Sequence, residues 1–121
     1  MSKYTIHESE VEAVQLPGRA HKMIIGPLNF GAAKRMCFGV ADFPPQQHAP
    51  AHVHPNEEEI LYVLSGSGEF YFDGVPEPVR PGTCAYVPPG VEHSIKNTGD
   101  EVLKVIYVFS PPVVQGSYDC H

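Results

Sequence analysis

Short runs of β-branched and aromatic residues recur along the chain, and most of them end at a glycine or a proline. This pattern is typical of short β-strands joined by tight turns. The runs predicted to be strands are residues 35–43, 51–54, 59–64, 69–72, 83–87, 91–95 and 102–110, with one or two more inside residues 1–27. Asp73-Gly74 adds a hairpin signal, because this pair readily takes the positive φ angles of a type I′ turn.

In the runs 59–64 and 102–110, the alternation of residues separates an inner face of the strand from an outer face. Lys104 is expected to face water, so the residues of opposite parity point inward, namely Leu103, Val105, Tyr107 and Phe109. The same rule places Glu59, Leu61 and Val63 inside, and it places Ile60, Tyr62 and Leu64 outside. Because this outer face is too apolar for plain solvent, we expect it to pack on the second sheet or on another subunit.

Composition supports an all-β domain and argues against other classes. The 121 residues include 11 glycines and 13 prolines, which disfavours a helical bundle, and 42% are apolar, which disfavours disorder. The length suits one domain over residues 1–121. We divide it into an N-terminal strand segment (1–34), a barrel core (about 35–110) and a C-terminal tail (111–121).

Charge and cysteine content narrow the expected partners. The formal net charge is −6 and Lys34-Arg35 is the only adjacent basic pair, so neither nucleic acid nor an anionic membrane is expected as a partner. No apolar run is long enough for a membrane span, and the N-terminus lacks a secretory signal pattern. The three cysteines are widely spaced with no CxxC pair, which predicts free thiols and a cytoplasmic location.

Three histidines and one carboxylate indicate a metal centre. His52 and His54 are two residues apart, so in an extended chain they share one face and can converge on one ion. Glu59 opens the returning strand, and His93 follows a later turn that would direct it to the same place. Imidazoles with one carboxylate, and with positions left for water or substrate, are typical of catalytic metal sites rather than closed structural ones.

The context of these residues resembles the cupin family. The first motif of that family, G-x5-HxH-x3,4-E-x6-G, is matched from His52-Val53-His54 through Glu59 to Gly66, but Gln46 replaces its leading glycine. The leading glycine shapes a turn, which Pro44-Pro45 are expected to form instead. The second motif, G-x5-P-x-G-x2-H-x3-N, is matched at every fixed position, by Gly82, Pro88, Gly90, His93 and Asn97. The resemblance implies a double-stranded β-helix, or jelly-roll β-barrel.

The resemblance also implies a ligand set and an assembly. It assigns His52, His54, Glu59 and His93 to one divalent transition metal ion, which could be Fe, Mn, Ni, Zn or Cu. Glu58 would be the ligand only under the shorter motif spacing, and both strand parity and the distance to Gly66 favour Glu59. Small cupins are often homodimers, so a homodimer is expected here. His48 is expected in a loop at the mouth of the barrel.

These features predict a metal-dependent enzyme that acts on a small oxygen-containing molecule. Dioxygenase-type chemistry is favoured. The alternatives are a redox-neutral isomerase, epimerase or lyase acting on a keto acid or sugar, and a ligand-binding cupin without catalysis. Glu59 as a base and Tyr107 as the polar group of an apolar cavity are the candidate catalytic residues. Arg35 is a basic residue that could point inward, and the terminal Cys120-His121 pair is a weaker candidate for metal binding.

Overall fold

The computed structural model describes residues 2–113 of the chain. Its strands are β1 (Val14–Leu16), β2 (Arg19–Ile25), β3 (Cys37–Phe43), β4 (Glu58–Ser65), β5 (Gly68–Phe72), β6 (Val75–Val79), β7 (Cys84–Val87), β8 (His93–Asn97) and β9 (Leu103–Ser110). The helical structure within residues 2–113 is one 3-10 turn, Glu8–Glu10. No helix in that part of the chain is long and apolar enough to cross a membrane.

The strands form two antiparallel sheets that face each other across a common core. The larger sheet has the order β1-β2-β3-β9-β4-β7, and the smaller has the order β6-β5-β8. The sheets do not close into a continuous barrel, so the predicted all-β jelly roll takes the form of a β-sandwich.

The core confirms the predicted alternation. On β4, Leu61 and Val63 are buried, and on β9 all four residues predicted to point inward are buried. Ile60, Tyr62 and Leu64 are 46%, 39% and 49% exposed, so the outer face of β4 is as apolar and as open as its sequence indicated. Strand parity therefore aims Glu59 at the interior, where it is only 4% exposed.

Two elements differ from the prediction for local reasons. Residues 51–54 form no regular strand, because their pairing with β8 is limited to the isolated bridge between His52 and His93. Strand β6 was not predicted, because it contains Pro76 and Pro78. Among the described strands it pairs with β5 alone, and an edge strand tolerates residues that lack a backbone N–H.

Two predicted turns are present in the structure. Asp73 and Gly74 have φ angles of 51° and 81° between β5 and β6, as a type I′ turn requires. Gln46 has a φ of 66°, and Gln47 N donates a 3.1 Å hydrogen bond to Pro44 O. Residues 44–47 therefore form the expected turn, but Gln46 takes the left-handed conformation that favours glycine. The chain keeps the turn of the motif without its glycine.

Candidate metal centre

Backbone pairing places the first and last predicted ligands next to each other. His52 N donates to His93 O at 3.0 Å, and His93 N donates to His52 O at 2.9 Å. Two residues paired in this way in antiparallel strands direct their side chains to the same face, and the two ring centroids are 4.3 Å apart. Gly90 N donates to His54 O at 2.9 Å, so the turn before β8 also fixes the second histidine of the HxH pair.

Strand β4 brings the carboxylate to these histidines. Glu59 pairs with Val87 of β7 and with Phe109 of β9, so it lies on a strand that is paired on both sides in the larger sheet. One potential ligand atom from each of His52, His54, Glu59 and His93 lies within 4.8 Å of all the others. Glu59 Oε1 is 2.7 Å from His93 Nε2. The structure therefore brings all four predicted ligand residues together, and three of them are buried.

The donor atoms suit a cation. His52 Nδ1 lies 3.1 Å from Pro50 O and His93 Nδ1 lies 2.9 Å from Val91 O, so each ring can donate from Nδ1 and present its Nε2 lone pair. Glu59 Oε1 and His93 Nε2 are buried and face each other directly at 2.7 Å. Two potential donor atoms that lie 2.7 Å apart are close enough to bind one ion together.

The electrostatics of the pair agree with this fit. Burial raises the pKa of the Glu59 carboxyl, and the contact with His93 only partly offsets it. Burial disfavours the charged form of His93, but the adjacent Glu59 raises the pKa of this histidine overall. Both shifts favour a proton at the Glu59–His93 contact, and a divalent cation would compete with that proton for the same lone pairs.

The neighbouring candidates lie outside this cluster. His48 is exposed in the loop before the HxH pair, as expected. Glu58 is exposed and accepts a 2.7 Å hydrogen bond from the Tyr86 hydroxyl on the outer face. Glu57 Oε1 is 3.9 Å from His54 Nδ1, so it adds negative charge behind that ring. The Cys120-His121 pair lies beyond the residues that the structure describes.

A small cavity of about 40 Å³ adjoins the cluster, and two of its polar lining residues were not predicted from the sequence. Its lining includes His52, Glu59 and Tyr107, together with Arg19 and His21 from β2. Arg19 is 6% exposed and His21 is 3% exposed. Both lie on the strand of the N-terminal segment, for which the sequence indicated no inner face.

The basic residue of this cavity is therefore Arg19 and not Arg35. The prediction that Arg35 points inward from its strand is wrong, because β3 begins only at Cys37 and Arg35 is exposed before it. Arg19 Nη1 donates a 2.8 Å hydrogen bond to Pro17 O, which ties its guanidinium to the turn between β1 and β2.

Tyr107 is held in a defined position beside the cavity. Its ring stacks on His21 with centroids 5.3 Å apart and meets the Phe109 ring edge-on at 5.3 Å. A Cβ atom added to Gly39 would lie 2.4 Å from Tyr107 Cζ, so only glycine leaves room for the ring at that position of β3. Burial lowers the pKa of His21 to about 4, and Arg19 adds to the effect, so His21 is neutral at pH 7.

His21 also lines a larger cavity. Its volume is about 460 Å³, and its lining is mostly apolar, with Met23 and Cys37 among its walls. His21 is therefore common to the lining of both cavities.

Fold and site together define a small jelly-roll protein with a candidate metal centre of three histidines and one glutamate. The family model of the cupin domain matches residues 39–109. The chain belongs to the cupin family, as the two motifs indicated.

Several known proteins are similar to this chain. It is 33% identical over 90 residues to Protein SchB of Streptomyces halstedii, a match that covers 74% of this chain and 64% of that protein. It is 35% identical over 75 residues to an oxalate-binding protein of Thermotoga maritima, covering 62% of each. The matched part thus spans less than two thirds of either relative.

Solved structures agree on the fold. The crystal structure of a predicted oxalate decarboxylase from Thermotoga maritima matches with a TM-score of 0.79 at 24% identity, covering 88% of this chain and 98% of that one. Because the identity is low, this likeness supports the fold only.

Proposed function

We propose that this cupin is a metal-dependent enzyme that acts on a small oxygen-containing molecule. The observation that carries the proposal is the convergence of four potential ligand atoms within 4.8 Å beside a small cavity. In this proposal His52, His54, Glu59 and His93 hold one divalent transition ion. When bound, such an ion supplies Lewis-acid polarisation and open positions for a substrate oxygen.

In this proposal the residues around the ion orient the metal ligands, bind the substrate and transfer protons. His52 and His93 orient their Nε2 atoms through the Nδ1 contacts to backbone carbonyls. Tyr107 offers a buried hydroxyl to a ligand in the cavity, and Glu59 is the candidate base when it is not engaged as a ligand. The apolar part of the lining, including Phe43 and Leu61, limits the water that reaches the reacting groups.

Among the possible reactions we favour dioxygenase-type chemistry. Three imidazoles and one carboxylate suit redox-active Fe, Mn, Ni or Cu, and also redox-inactive Zn. Redox-neutral isomerase, epimerase or lyase chemistry is the alternative. Oxygen uptake measured over a panel of diketones and keto acids separates the two. Turnover that consumes oxygen supports the first class, and turnover under strict anaerobiosis supports the second.

A non-catalytic binding protein is the other candidate, and it is favoured by one relative that is named for binding oxalate. Tight ligand binding to the metal-loaded protein with no turnover in either assay would select this function over an enzyme.

The assignment of the ligands is tested by metal analysis of protein purified without added metal. We expect close to one divalent ion per chain in the wild type. His52→Ala should lose most of it, whereas His48→Ala, the same substitution at the exposed histidine of the preceding loop, should keep it. A wild type without a stoichiometric ion, together with an unchanged His52→Ala, would show that the assignment is wrong.

We further propose that the protein is a homodimer in the cytoplasm. Two apolar rows cross the outer face of the larger sheet, Phe38–Val108–Ile60–Tyr86 and Val40–Ile106–Tyr62–Cys84, in the observed register. Neither row contains a charged side chain. The exposed members of the rows lie on β4 and β7, namely Ile60, Tyr62, Cys84 and Tyr86. Such a patch suits a second copy of the chain. The thiols of Cys37 and Cys84 are free, which is consistent with a reducing compartment.

Light scattering coupled to size exclusion tests this dimer. We expect twice the chain mass of 13.3 kDa for the wild type. Tyr62→Glu should give the mass of one chain with its fold intact, while Glu69→Gln on the smaller sheet should leave the dimer unchanged. A wild type that stays monomeric at high concentration would contradict the proposal.

A further inference from the structure

We propose that the ligand of the metal-site cavity is a small carboxylate, and that Arg19 and Tyr107 recognise it. This inference rests on the proposed metal site, because it concerns what binds beside the ion. The residues that carry it come from β2 and β9, and their side chains reach the cavity lined by Glu59 and His52.

The first argument is the unsatisfied hydroxyl of Tyr107. Its side chain is 6% exposed, and its oxygen makes no hydrogen bond within residues 2–113. A buried hydroxyl without a partner is destabilising, because it has lost its hydrogen bonds to water without replacing them. Gly39 and the stacked His21 hold the ring in that position. A ligand oxygen in the cavity would satisfy this hydroxyl.

The second argument is the charge balance of the cavity. Arg19 and Glu59 are its charged lining residues, and they balance each other. His21 is neutral at pH 7, because burial lowers its pKa to about 4. Glu57 adds negative charge, but it lies behind His54 and does not line the cavity. With a divalent ion bound, positive charge among the lining residues that the structure describes would exceed negative charge by two, and a buried excess of this kind favours an anion.

The third argument is size. A site for one water needs about 10–15 Å³, so a cavity of about 40 Å³ accommodates only a few non-hydrogen atoms. Apart from its polar groups the cavity has apolar walls, including Phe43, Leu61 and Phe109. A sugar phosphate would need more room and more cationic donors than the one arginine provides. A planar carboxylate matches the fork of a single guanidinium.

The test is calorimetric titration of the protein loaded with Mn(II), after its stoichiometry has been measured. The probes are acetate, pyruvate and oxalate, with acetamide as the neutral isostere of acetate and inorganic phosphate as a tetrahedral anion. We expect the carboxylates to bind at least tenfold more tightly than acetamide. We also expect at least one of them to bind more tightly than phosphate.

The variants locate the recognition. Arg19→Gln should weaken carboxylate binding about 10- to 100-fold without changing Mn(II) stoichiometry, and Tyr107→Phe should weaken it by a smaller factor. Arg80→Gln is the matched control at an exposed arginine and should have no effect. Because Arg19 also holds the Pro17 carbonyl, Arg19→Lys is the second variant. It keeps the charge and should bind carboxylates with an affinity between those of the wild type and Arg19→Gln.

The outcomes separate this inference from the proposed function. A wild type that binds no Mn(II) would overturn the metal site and the inference together. A protein that binds Mn(II) but does not distinguish acetate from acetamide, or that prefers phosphate, would overturn the inference alone. The same holds if Arg19→Gln remains folded and binds carboxylates like the wild type.

Discussion

Replacing Gly39 with alanine is expected to destabilise the protein through one side chain, Tyr107. The added Cβ would lie 2.4 Å from both Cζ and the hydroxyl oxygen of that ring and 2.7 Å from Cε2. The ring has little freedom to retreat, because it stacks on His21 and meets Phe109 edge-on. The strain must therefore be taken up by the backbones of β3 and β9 or by a displaced Tyr107.

The size of the effect follows from two opposing contributions. Overpacking a filled core costs about 1–3 kcal/mol. Removing a glycine from a strand recovers about 0.5–1 kcal/mol of conformational entropy. The net loss in the free energy of unfolding should be about 1.5 kcal/mol. For a chain of 121 residues the unfolding entropy near Tm is about 0.25 kcal/mol/K, so Tm should fall by about 6 °C.

The assay is urea and thermal unfolding of metal-free protein, followed by circular dichroism because the chain has no tryptophan. The control is a double-mutant cycle with Tyr107→Leu, which removes the clashing ring. In that background Gly39→Ala should be neutral or stabilising. If Gly39→Ala costs the same in both backgrounds, or costs nothing in the wild type, the glycine does not serve to admit the tyrosine ring.

Three further predictions concern single residues. Asn97→Ala should lower the free energy of unfolding by about 3 kcal/mol in urea titrations, because this buried side chain makes three hydrogen bonds to backbone groups; a loss below 1 kcal/mol would contradict it. Gln46→Gly should be at least as stable as the wild type and Gln46→Val should lose about 1 kcal/mol or more, since the φ of 66° favours glycine and penalises a β-branched residue. For His21 the folded pKa of about 4 is below the unfolded value, so the unfolded state binds more protons below pH 6.5 and stability falls as the pH falls. Between pH 7 and pH 5 the wild type should lose about 2 kcal/mol more than His21→Phe, and parallel pH profiles would refute this.

Three of the four candidate ligands were predictable because their arrangement depends on short-range features. The HxH pair and Glu59 follow each other within eight residues, and period-2 alternation settles which carboxylate points inward. The place of His93 needed the second motif, because its pairing with His52 joins segments about forty residues apart. Strand β6 escaped prediction because its two prolines are tolerated only at a sheet edge, and edge position is a property of the whole fold.

The polar lining of the cavity, formed by Arg19, His21 and Tyr107, depends on pairing between strands that are distant in the sequence. Lys22 Nζ donates a hydrogen bond to Glu8 O. Arg19 and His21 have the opposite parity on β2, so alternation places them on the other face of the strand, where both are buried. Alternation does not say what they would face. That depends on β2 pairing with β3 and on β3 pairing with β9, which carries Tyr107 more than eighty residues later in the chain. Motif spacing identifies the candidate ligands of an ion, whereas the polar residues beside them come from strands whose neighbours only the assembled sheet determines.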